Sequence, residues 1–355
     1  MHPSLGEGPG MGEDLTLIIQ ARQNAMSSFK AFRINEVDKK IVAGFEQVTL
    51  DQLDKGEVVI KVHYSSINYK DALAATGAGK IIRRFPCVGG IDMSGVVESS
   101  TDSRYKKGDA VIATSYELGV SHDGGYAEYA RVPADWVVPM PAGMTPFDAM
   151  ALGTAGYTAG LGIVQMEHNG LTPSAGPVIV TGATGGVGSI AIDILASLGY
   201  SVTALTGKES ETAYLQGLGA KDVMLRQKLD LAKIKALDKS LWAGAVDNLG
   251  GDVLSWIAST MKDNGTIAGI GLAASMTFNT TVAPFILRGV SLLGINSANT
   301  PFPLRKKVWN RLATDMKPRH LKEMTRTIPF SELPGAFDAF IKSQVKGRIV
   351  VAIGA

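Results

Sequence analysis

The sequence predicts an α/β protein in which a partly open β-barrel is followed by a doubly wound parallel sheet. Short strands separated by Gly, Asp and Pro occupy most of the region before residue 140. Strands alternate with helices after residue 177, a pattern typical of a parallel sheet with right-handed crossovers. Between the two regions, residues 177–196 have the order strand, glycine-rich turn and helix. The rest of the chain is organised around this stretch.

Composition and charge narrow the class of protein. The chain has 355 residues, 41 of them glycine, which is too long for one compact core and suits two domains. A net charge of +2 does not indicate a nucleic-acid partner, and no apolar run reaches the roughly 20 residues that span a bilayer. The single cysteine, Cys87, excludes a disulfide framework and a Cys-rich zinc site. We expect a cytoplasmic protein with neither a nucleic-acid nor a membrane partner.

Residues 1–25 are predicted to be a tag or a disordered N-terminal extension, with Met26 as the natural start. Alternating glycines and the acidic residues Glu7, Glu13 and Asp14 argue against a secretory signal. The first domain is predicted to combine residues 26–150 with 299–355, and the second to span residues 151–298.

Periodicity places the elements of each domain. The first domain should contain strands near residues 30–34, 57–64, 95–98, 109–113 and 126–132. Helices should follow at 146–152 and 154–159, around the boundary between the domains. The second should contain about six strands, near residues 178–181, 201–206, 221–225, 243–248, 265–271 and 290–295. The tail predicts helices around 304–315 and 333–343 and a strand at 347–353, which should return to the first domain.

The glycine-rich turn is a candidate nucleotide site. Gly182 should allow the bend, Gly185 and Gly186 a close approach of another molecule, and Gly188 the packing of the helix on the strand. Free N–H groups at the start of the helix suit a pyrophosphate, so the predicted contacts are Gly182, Thr184, Gly185, Gly186 and Val187. The spacing G-x-x-G-G-x-G departs from the strict dinucleotide pattern. A closely packed turn without a ligand is the alternative.

The end of the next strand favours NADPH. NAD-binding proteins usually carry Asp or Glu there to hold the ribose 2′-hydroxyl. Here the strand ends Thr206-Gly207-Lys208, without a carboxylate. Lys208 and the Thr206 hydroxyl would attract a 2′-phosphate, and Arg226 after the third strand could close the same pocket. Alternatively, Lys208 is a solvated residue before a helix.

Several separated motifs occur in one order along the chain: SSINYKDAL at 65–73, GIDMSG at 90–95, GTAGYTA at 153–159, TGATGGVG at 181–188, WAGAVD at 242–247, PFILR at 284–288 and VKGR at 345–348. Together they resemble the acryloyl-CoA reductase subfamily, in the zinc-free, quinone-oxidoreductase-like branch of the medium-chain dehydrogenase/reductase superfamily. The resemblance implies a GroES-like catalytic barrel, a Rossmann domain that binds NADPH, and reduction of acryloyl-CoA to propanoyl-CoA. A quinone or general enone reductase and a non-catalytic, crystallin-like NADPH-binding protein are the alternatives.

The same comparison predicts that no metal takes part. Zinc alcohol dehydrogenases of the superfamily have a ligand Cys where this chain has Asn68 and a ligand His where it has Ile91. Without the thiolate and the imidazole, a tetrahedral zinc site of that kind cannot form. The remaining histidines lack ligand spacing and are interpreted as structural or surface residues: His63, His122, His168 and His320.

A zinc-free mechanism suits a C=C bond conjugated to a carbonyl, because the carbonyl accepts the developing negative charge. Hydride would be transferred to the β-carbon of the unsaturated thioester, and a proton would be added at the α-carbon. Tyr69 is the first candidate for the proton donor, although it could instead only position the cofactor. Asn68 and Asp71 are further catalytic candidates, with helix capping as the alternative for Asp71.

The resemblance also implies further contacts. Leu272 and Ser297 should lie near the nicotinamide, Ile286 should form an apolar wall, and Ser343 is a less certain contact. For Leu272 and Ile286, a role in the core is the alternative. A coenzyme A substrate has phosphates that basic side chains could bind, and two candidate clusters are Lys80, Arg83 and Arg84, and Arg305, Lys306 and Lys307. The apolar last strand of the second domain predicts a homodimer.

Overall fold

The computed structural model describes residues 28–354. The predicted extension at 1–25 and the predicted start at Met26 lie outside these residues. Within the described part, no helix has the length and hydrophobicity needed to cross a membrane.

Sixteen strands and eight α-helices occur in the described residues. The strands are β1 Phe29–Val37, β2 Lys40–Val48, β3 Val58–Ser66, β4 Cys87–Val88, β5 Asp92–Ser100, β6 Ala110–Thr114, β7 Tyr129–Val132, β8 Val137–Pro139, β9 Val178–Thr181, β10 Val202–Thr206, β11 Asp222–Leu225, β12 Trp242–Asp247, β13 Met261–Gly269, β14 Ser291–Gly294, β15 Thr325–Pro329 and β16 Arg348–Ala352. The helices are α1 Tyr69–Thr76, α2 Pro146–His168, α3 Gly186–Ser197, α4 Thr212–Gly217, α5 Gly251–Thr260, α6 Ala283–Arg288, α7 Phe302–Ala313 and α8 Leu333–Ile341.

Six parallel strands form one sheet in the order β11-β10-β9-β12-β13-β14. The sequence therefore moves outward from β9 in one direction and returns to start again at β12, as in a doubly wound sheet. This confirms the predicted six-stranded Rossmann architecture. Such sheets bind ligands at the carboxyl ends of the two strands where the order reverses, here β9 and β12.

The other two sheets come mainly from the first half of the chain. One has the order β15-β16-β3-β5-β6-β8, with β7 also paired to β3, and a three-stranded sheet has the order β2-β1-β4. The strand β16 pairs antiparallel with β3, so that Val351 lies opposite Ser65. The end of the chain thus returns to the barrel, as predicted.

A single kinked helix, α2, stands where the sequence predicted two. Gly153 inside it has φ +53° and ψ −158°, which is not helical. A Cβ atom at Gly153 would lie 2.5 Å from Arg348 Nη2 and 2.6 Å from Ser66 Oγ, so only glycine fits the kink. The predicted domain boundary at residue 150 falls inside α2, and the proposed division into domains stays a prediction.

Candidate functional site

The glycine-rich turn between β9 and α3 has two of the properties that the sequence predicted. Gly182 has φ +57°, a conformation that favours glycine. A Cβ atom at Gly188 would lie 2.5 Å from the Gly182 carbonyl oxygen, so the first turn of α3 packs directly on the bend. The helix begins at Gly186, and its free N–H groups lie at the carboxyl end of β9, where the sequence predicts an anion site.

Five predicted residues meet at the carboxyl end of β10. The buried Thr206 accepts, through Oγ1, a hydrogen bond from the Lys208 backbone N–H at 3.0 Å. A Cβ atom at Gly207 would lie 3.7 Å from Arg226 Nη2, which places the guanidinium beside the turn. The Lys208 ammonium donates to the Ser343 carbonyl at 2.9 Å, which brings the predicted Ser343 to the same place through its backbone. Two cations therefore border this strand end.

Tyr69 is the first residue of α1, and its side chain is 52% exposed. Asn68 caps this helix, and its backbone N–H donates to Asp71 Oδ2 at 2.8 Å. The buried Asp71 also accepts from the Ile91 N–H at 3.0 Å. These contacts favour the capping role for Asp71 over direct catalysis, because its two oxygens are occupied by backbone N–H groups.

Asp92 and Arg348 lie beneath Asn68, in a buried polar network that the sequence analysis did not identify. Asp92 Oδ2 accepts from Asn68 Nδ2 at 2.8 Å, from Ser66 Oγ at 2.6 Å and from the Thr154 N–H at 2.9 Å. Arg348 Nη2 donates to Ser66 Oγ at 3.0 Å, so this hydroxyl connects the guanidinium to the carboxylate. The only signal in the sequence was that Asp92 and Arg348 fall within two of the quoted motifs.

Arg348 joins the two halves of the candidate site. Its Nη1 donates to Asn68 Oδ1 at 3.4 Å, next to Tyr69. The same Nη1 would lie 3.2 Å from a Cβ atom at Gly186, the first residue of α3. One guanidinium therefore underlies both the Tyr69 segment and the anion site. The predicted free approach at Gly186 is limited on this side by Arg348.

Burial, and to a smaller extent the nearby Asp92 carboxylate, raise the pKa of Asp71 to about 7, although N–H donors from Asn68 and Ile91 oppose the shift. Burial also lowers the pKa of the Arg348 guanidinium, an effect that the charges of Asp92 and Asp71 oppose. The total charge of the network beneath Tyr69 consequently changes near neutral pH.

Two predicted nicotinamide contacts lie at the carboxyl end of the parallel sheet. Ser297 Oγ accepts from Thr158 Oγ1 at 2.8 Å, and the Thr158 hydroxyl also contacts the Thr154 carbonyl. Ser297 is thereby connected to Asp92 through the first turns of α2 beyond its kink. Leu272 follows β13 and is exposed, and the N–H of the preceding Gly271 donates to the carbonyl of Asp247, the last residue of β12, at 3.1 Å.

Ile286 is placed differently from the prediction. It lies on α6 with its side chain 72% exposed. Arg288, at the end of this helix, donates to the carbonyls of Ser259 and Met261, at the amino end of β13. This is the edge of the sheet opposite the glycine-rich turn. The placement argues for an outward apolar surface and against a wall of the cofactor pocket.

The predicted coenzyme A clusters require correction. Arg305 is fully buried and donates to the carbonyls of Thr114, Ser297 and Ala298, with its guanidinium 4.2 Å from the centroid of the Tyr116 ring. It supports the fold and is not available to a phosphate. Arg84 forms an ion pair with Asp54. Exposed cations of the two clusters are Lys80, Arg83, Lys306 and Lys307.

The side chains at the family's zinc positions do not fit zinc. Asn68 offers an amide that is already bonded to Asp92 and Arg348, and Ile91 offers an alkyl group. Burial raises the pKa of the Cys87 thiol to about 12, which disfavours the thiolate that zinc requires. Across residues 28–354, no three His, Cys, Asp or Glu side chains come together as a metal-binding group.

Comparison with known proteins gives matches over most of the chain. Two protein-family models match, the alcohol dehydrogenase GroES-like domain at residues 54–142 and zinc-binding dehydrogenase at residues 186–314. The acrylyl-CoA reductase AcuI of Ruegeria pomeroyi is 44% identical over 90% of this chain and 97% of its own length. The putative quinone oxidoreductase YhfP of Bacillus subtilis is 45% identical over 92% of this chain and 99% of its own. The crystal structure of the YhdH oxidoreductase of Salmonella enterica in complex with NADP has a TM-score of 0.89 at 44% identity, over 91% of this chain and 99% of that one.

Proposed function

The chain belongs to the medium-chain dehydrogenase/reductase superfamily, and from that membership we propose that it is an NADPH-dependent reductase of the C=C bond of acryloyl-CoA. The observation that supports the proposal most is that the buried Arg348 contacts Asn68, the neighbour of Tyr69, and also lies close to Gly186 at the start of α3. A relative 44% identical over 90% of the chain bears the name acrylyl-CoA reductase, which supports the choice of substrate.

Reduction of a quinone is the second candidate, because a relative of equal similarity is named a putative quinone oxidoreductase. The two activities separate in an assay of NADPH oxidation with acryloyl-CoA, crotonyl-CoA and a quinone. We expect acryloyl-CoA to give the highest kcat/KM. A higher value for the quinone would replace the proposed substrate, and no oxidation with any of the three would favour the non-catalytic alternative.

The residues of the chain divide the proposed reaction between them. Bound NADPH supplies the hydride for the β-carbon of the substrate. The glycine-rich turn would hold its pyrophosphate, and Lys208 and Arg226 would hold its 2′-phosphate. Tyr69 projects from the N-terminus of α1, where its hydroxyl can donate to the thioester oxygen or protonate the α-carbon. Asp92 and Arg348 fix the amide of Asn68 beside it.

A cytoplasmic homodimer completes the proposal. The strand β14 is an edge of the parallel sheet, and its Leu292 is exposed. The adjacent α6 exposes Ile286 and Leu287. An unpaired edge strand next to exposed apolar side chains suits pairing with a second copy of the chain.

Lys208→Ala is expected to raise the KM for NADPH tenfold or more and to leave the KM for NADH nearly unchanged. The lost contact is a charge-assisted one to the 2′-phosphate, typically worth ~1.5–3 kcal/mol. Initial rates with each cofactor at saturating acryloyl-CoA measure the effect. Lys221→Ala, which removes an exposed lysine just before β11, is the matched control. Equal increases in the KM for NADPH and for NADH would show that Lys208 does not bind the 2′-phosphate.

Turnover is expected to survive metal removal, because amide and alkyl side chains stand at the family's zinc positions. After extensive dialysis against EDTA, elemental analysis should find substoichiometric zinc while kcat is retained. Parallel loss of zinc and of kcat, with recovery of both on adding zinc, would contradict the zinc-free mechanism.

A further inference from the structure

An acidic side chain, Glu211, lies close to the C-terminal end of β10, although the strand itself ends without one. Thr206-Gly207-Lys208 is followed by the short 3₁₀ turn Glu209–Glu211. The Glu211 N–H donates to the Lys208 carbonyl at 3.1 Å, so the turn brings Glu211 back towards the end of the strand. The pocket assigned to the 2′-phosphate therefore has an acidic residue at its rim.

Glu211 is paired with a lysine from near the end of the chain. Lys346 Nζ lies 3.0 Å from Glu211 Oε2 and 4.9 Å from the centroid of the Tyr214 ring. Tyr214 in turn donates its hydroxyl hydrogen to Ser189 Oγ, in the first turns of α3, at 3.0 Å. The ion pair therefore lies between the end of β10 and the helix that follows the glycine-rich turn.

The segment that carries Lys346 borders a groove between the end of β10 and the glycine-rich turn. Residues 342–347 connect α8 to β16. Near one end, the Ser343 carbonyl accepts from the Lys208 ammonium at 2.9 Å. At the other end, the Gly347 N–H donates to the Thr184 carbonyl in the glycine-rich turn at 3.1 Å. Lys346 is held between these two anchors.

We propose that Lys346 masks the charge of Glu211 and that this pair sets the preference for NADPH over NADH. The inference rests on the NADPH dependence proposed above. A free carboxylate at this position would repel a 2′-phosphate and would accept a hydrogen bond from the 2′-hydroxyl of NADH. Glu211 and Lys346 together form an ion pair without net charge, so the repulsion of a 2′-phosphate by the carboxylate is weakened.

A structural role of the ion pair predicts a different result. If Lys346 only anchored the segment 342–347, its loss would loosen this groove and weaken the binding of NADPH and NADH to the same extent. The side chains of Lys346 and Glu211 are 48% and 22% exposed, so their loss should leave the fold intact. Direct binding measurements can therefore separate charge masking from anchoring.

The test is the equilibrium Kd of NADPH, NADH and 2′,5′-ADP for Lys346→Met, measured by protein fluorescence or calorimetry. We expect the Kd values of NADPH and 2′,5′-ADP to rise about five- to tenfold, because the unpaired carboxylate then faces the phosphate dianion. NADH should bind unchanged or more tightly. The double variant Glu211→Gln/Lys346→Met should regain NADPH affinity to within about threefold of the wild type, because the charge that needed masking is gone. Lys342→Met, an exposed lysine of the same segment, is the control and should leave all three Kd values unchanged.

An equal loss of affinity for NADPH and NADH in Lys346→Met would overturn the proposal. The proposal would also fail if the double variant bound NADPH as weakly as Lys346→Met does. Wild-type protein that binds NADH as tightly as NADPH would instead contradict the proposed cofactor. The wild-type preference is measured first, so the two failures are distinguishable.

Discussion

Replacing Arg348 with methionine is expected to lower the free energy of unfolding by about 3–5 kcal/mol, because a buried charge is left without its partner. The guanidinium is 3% exposed and donates to the Ala151 carbonyl at 2.9 Å and to Ser66 Oγ at 3.0 Å. Ser66 Oγ donates onward to Asp92. Without the guanidinium, the Asp92 carboxylate stays buried and loses the cation that faces it.

Thermal unfolding followed by circular dichroism measures the loss. At about 2–4 °C per kcal/mol, Tm should fall by roughly 10 °C. Arg348→Lys keeps the positive charge but loses the planar guanidinium, so its Tm should lie between those of Arg348→Met and the wild type. Arg326→Met, an exposed arginine on the neighbouring β15, is the control and should change stability by less than about 0.5 kcal/mol. A Tm for Arg348→Met equal to that of this control would show that the network does not support the fold.

Tyr69→Phe is expected to lower kcat about 100-fold with acryloyl-CoA if the hydroxyl is the general acid. The substitution keeps the ring, and KM for NADPH should stay the same, because the interaction is made in the transition state. A fall of only a few-fold would indicate that Tyr69 positions the complex and that water supplies the proton.

The exposure of Tyr69 removes one competing explanation. A fully buried aromatic ring would make Tyr69→Ala cost about 3–5 kcal/mol of stability. Because the ring is 52% exposed, Tyr69→Ala should leave Tm much closer to that of the wild type. Tyr129→Phe removes a hydroxyl from β7 and controls for nonspecific effects. Full kcat in Tyr69→Phe would show that the acid lies elsewhere.

Elements with strong local patterns could be predicted from the sequence. The six parallel strands are short, apolar and separated by helices, and each was placed within a few residues of its bounds. The positive φ of Gly182 and the close packing at Gly188 follow from the glycine spacing itself. The residues at the end of β10 were found because residues 206–208 themselves contain no carboxylate.

Four strands escaped prediction, namely β2, β4, β8 and β15. The two longer ones, β2 and β15, were missed because their residues do not alternate clearly. The strand β2 contains Gly44, and most of its side chains are only partly buried. The strand β15 has the sequence TRTIP, in which only Ile328 is buried. Both lie at the edges of their sheets, where one side needs no apolar pattern.

The network beneath Tyr69 could not be predicted for a different reason. Arg348 contacts the Ile67 carbonyl 281 residues earlier in the chain, and no local pattern encodes such a pairing. The kink at Gly153 depends on the same contacts, because the space for a Cβ atom is taken by Arg348, Ser66 and Asp92. The masked carboxylate of Glu211 likewise depends on Lys346, which only the folded chain brings near.

The place of β16 in the barrel also determines the order in which a nascent chain can fold. The parallel sheet has all its strands once Gly294 has been synthesised, whereas β3 still lacks its partner β16. Until then, the β3 backbone near Ser65 is an open edge that could pair with another chain. The parallel sheet can therefore form first, and the sheet that contains β3, although begun earlier, is completed last by a slow long-range pairing.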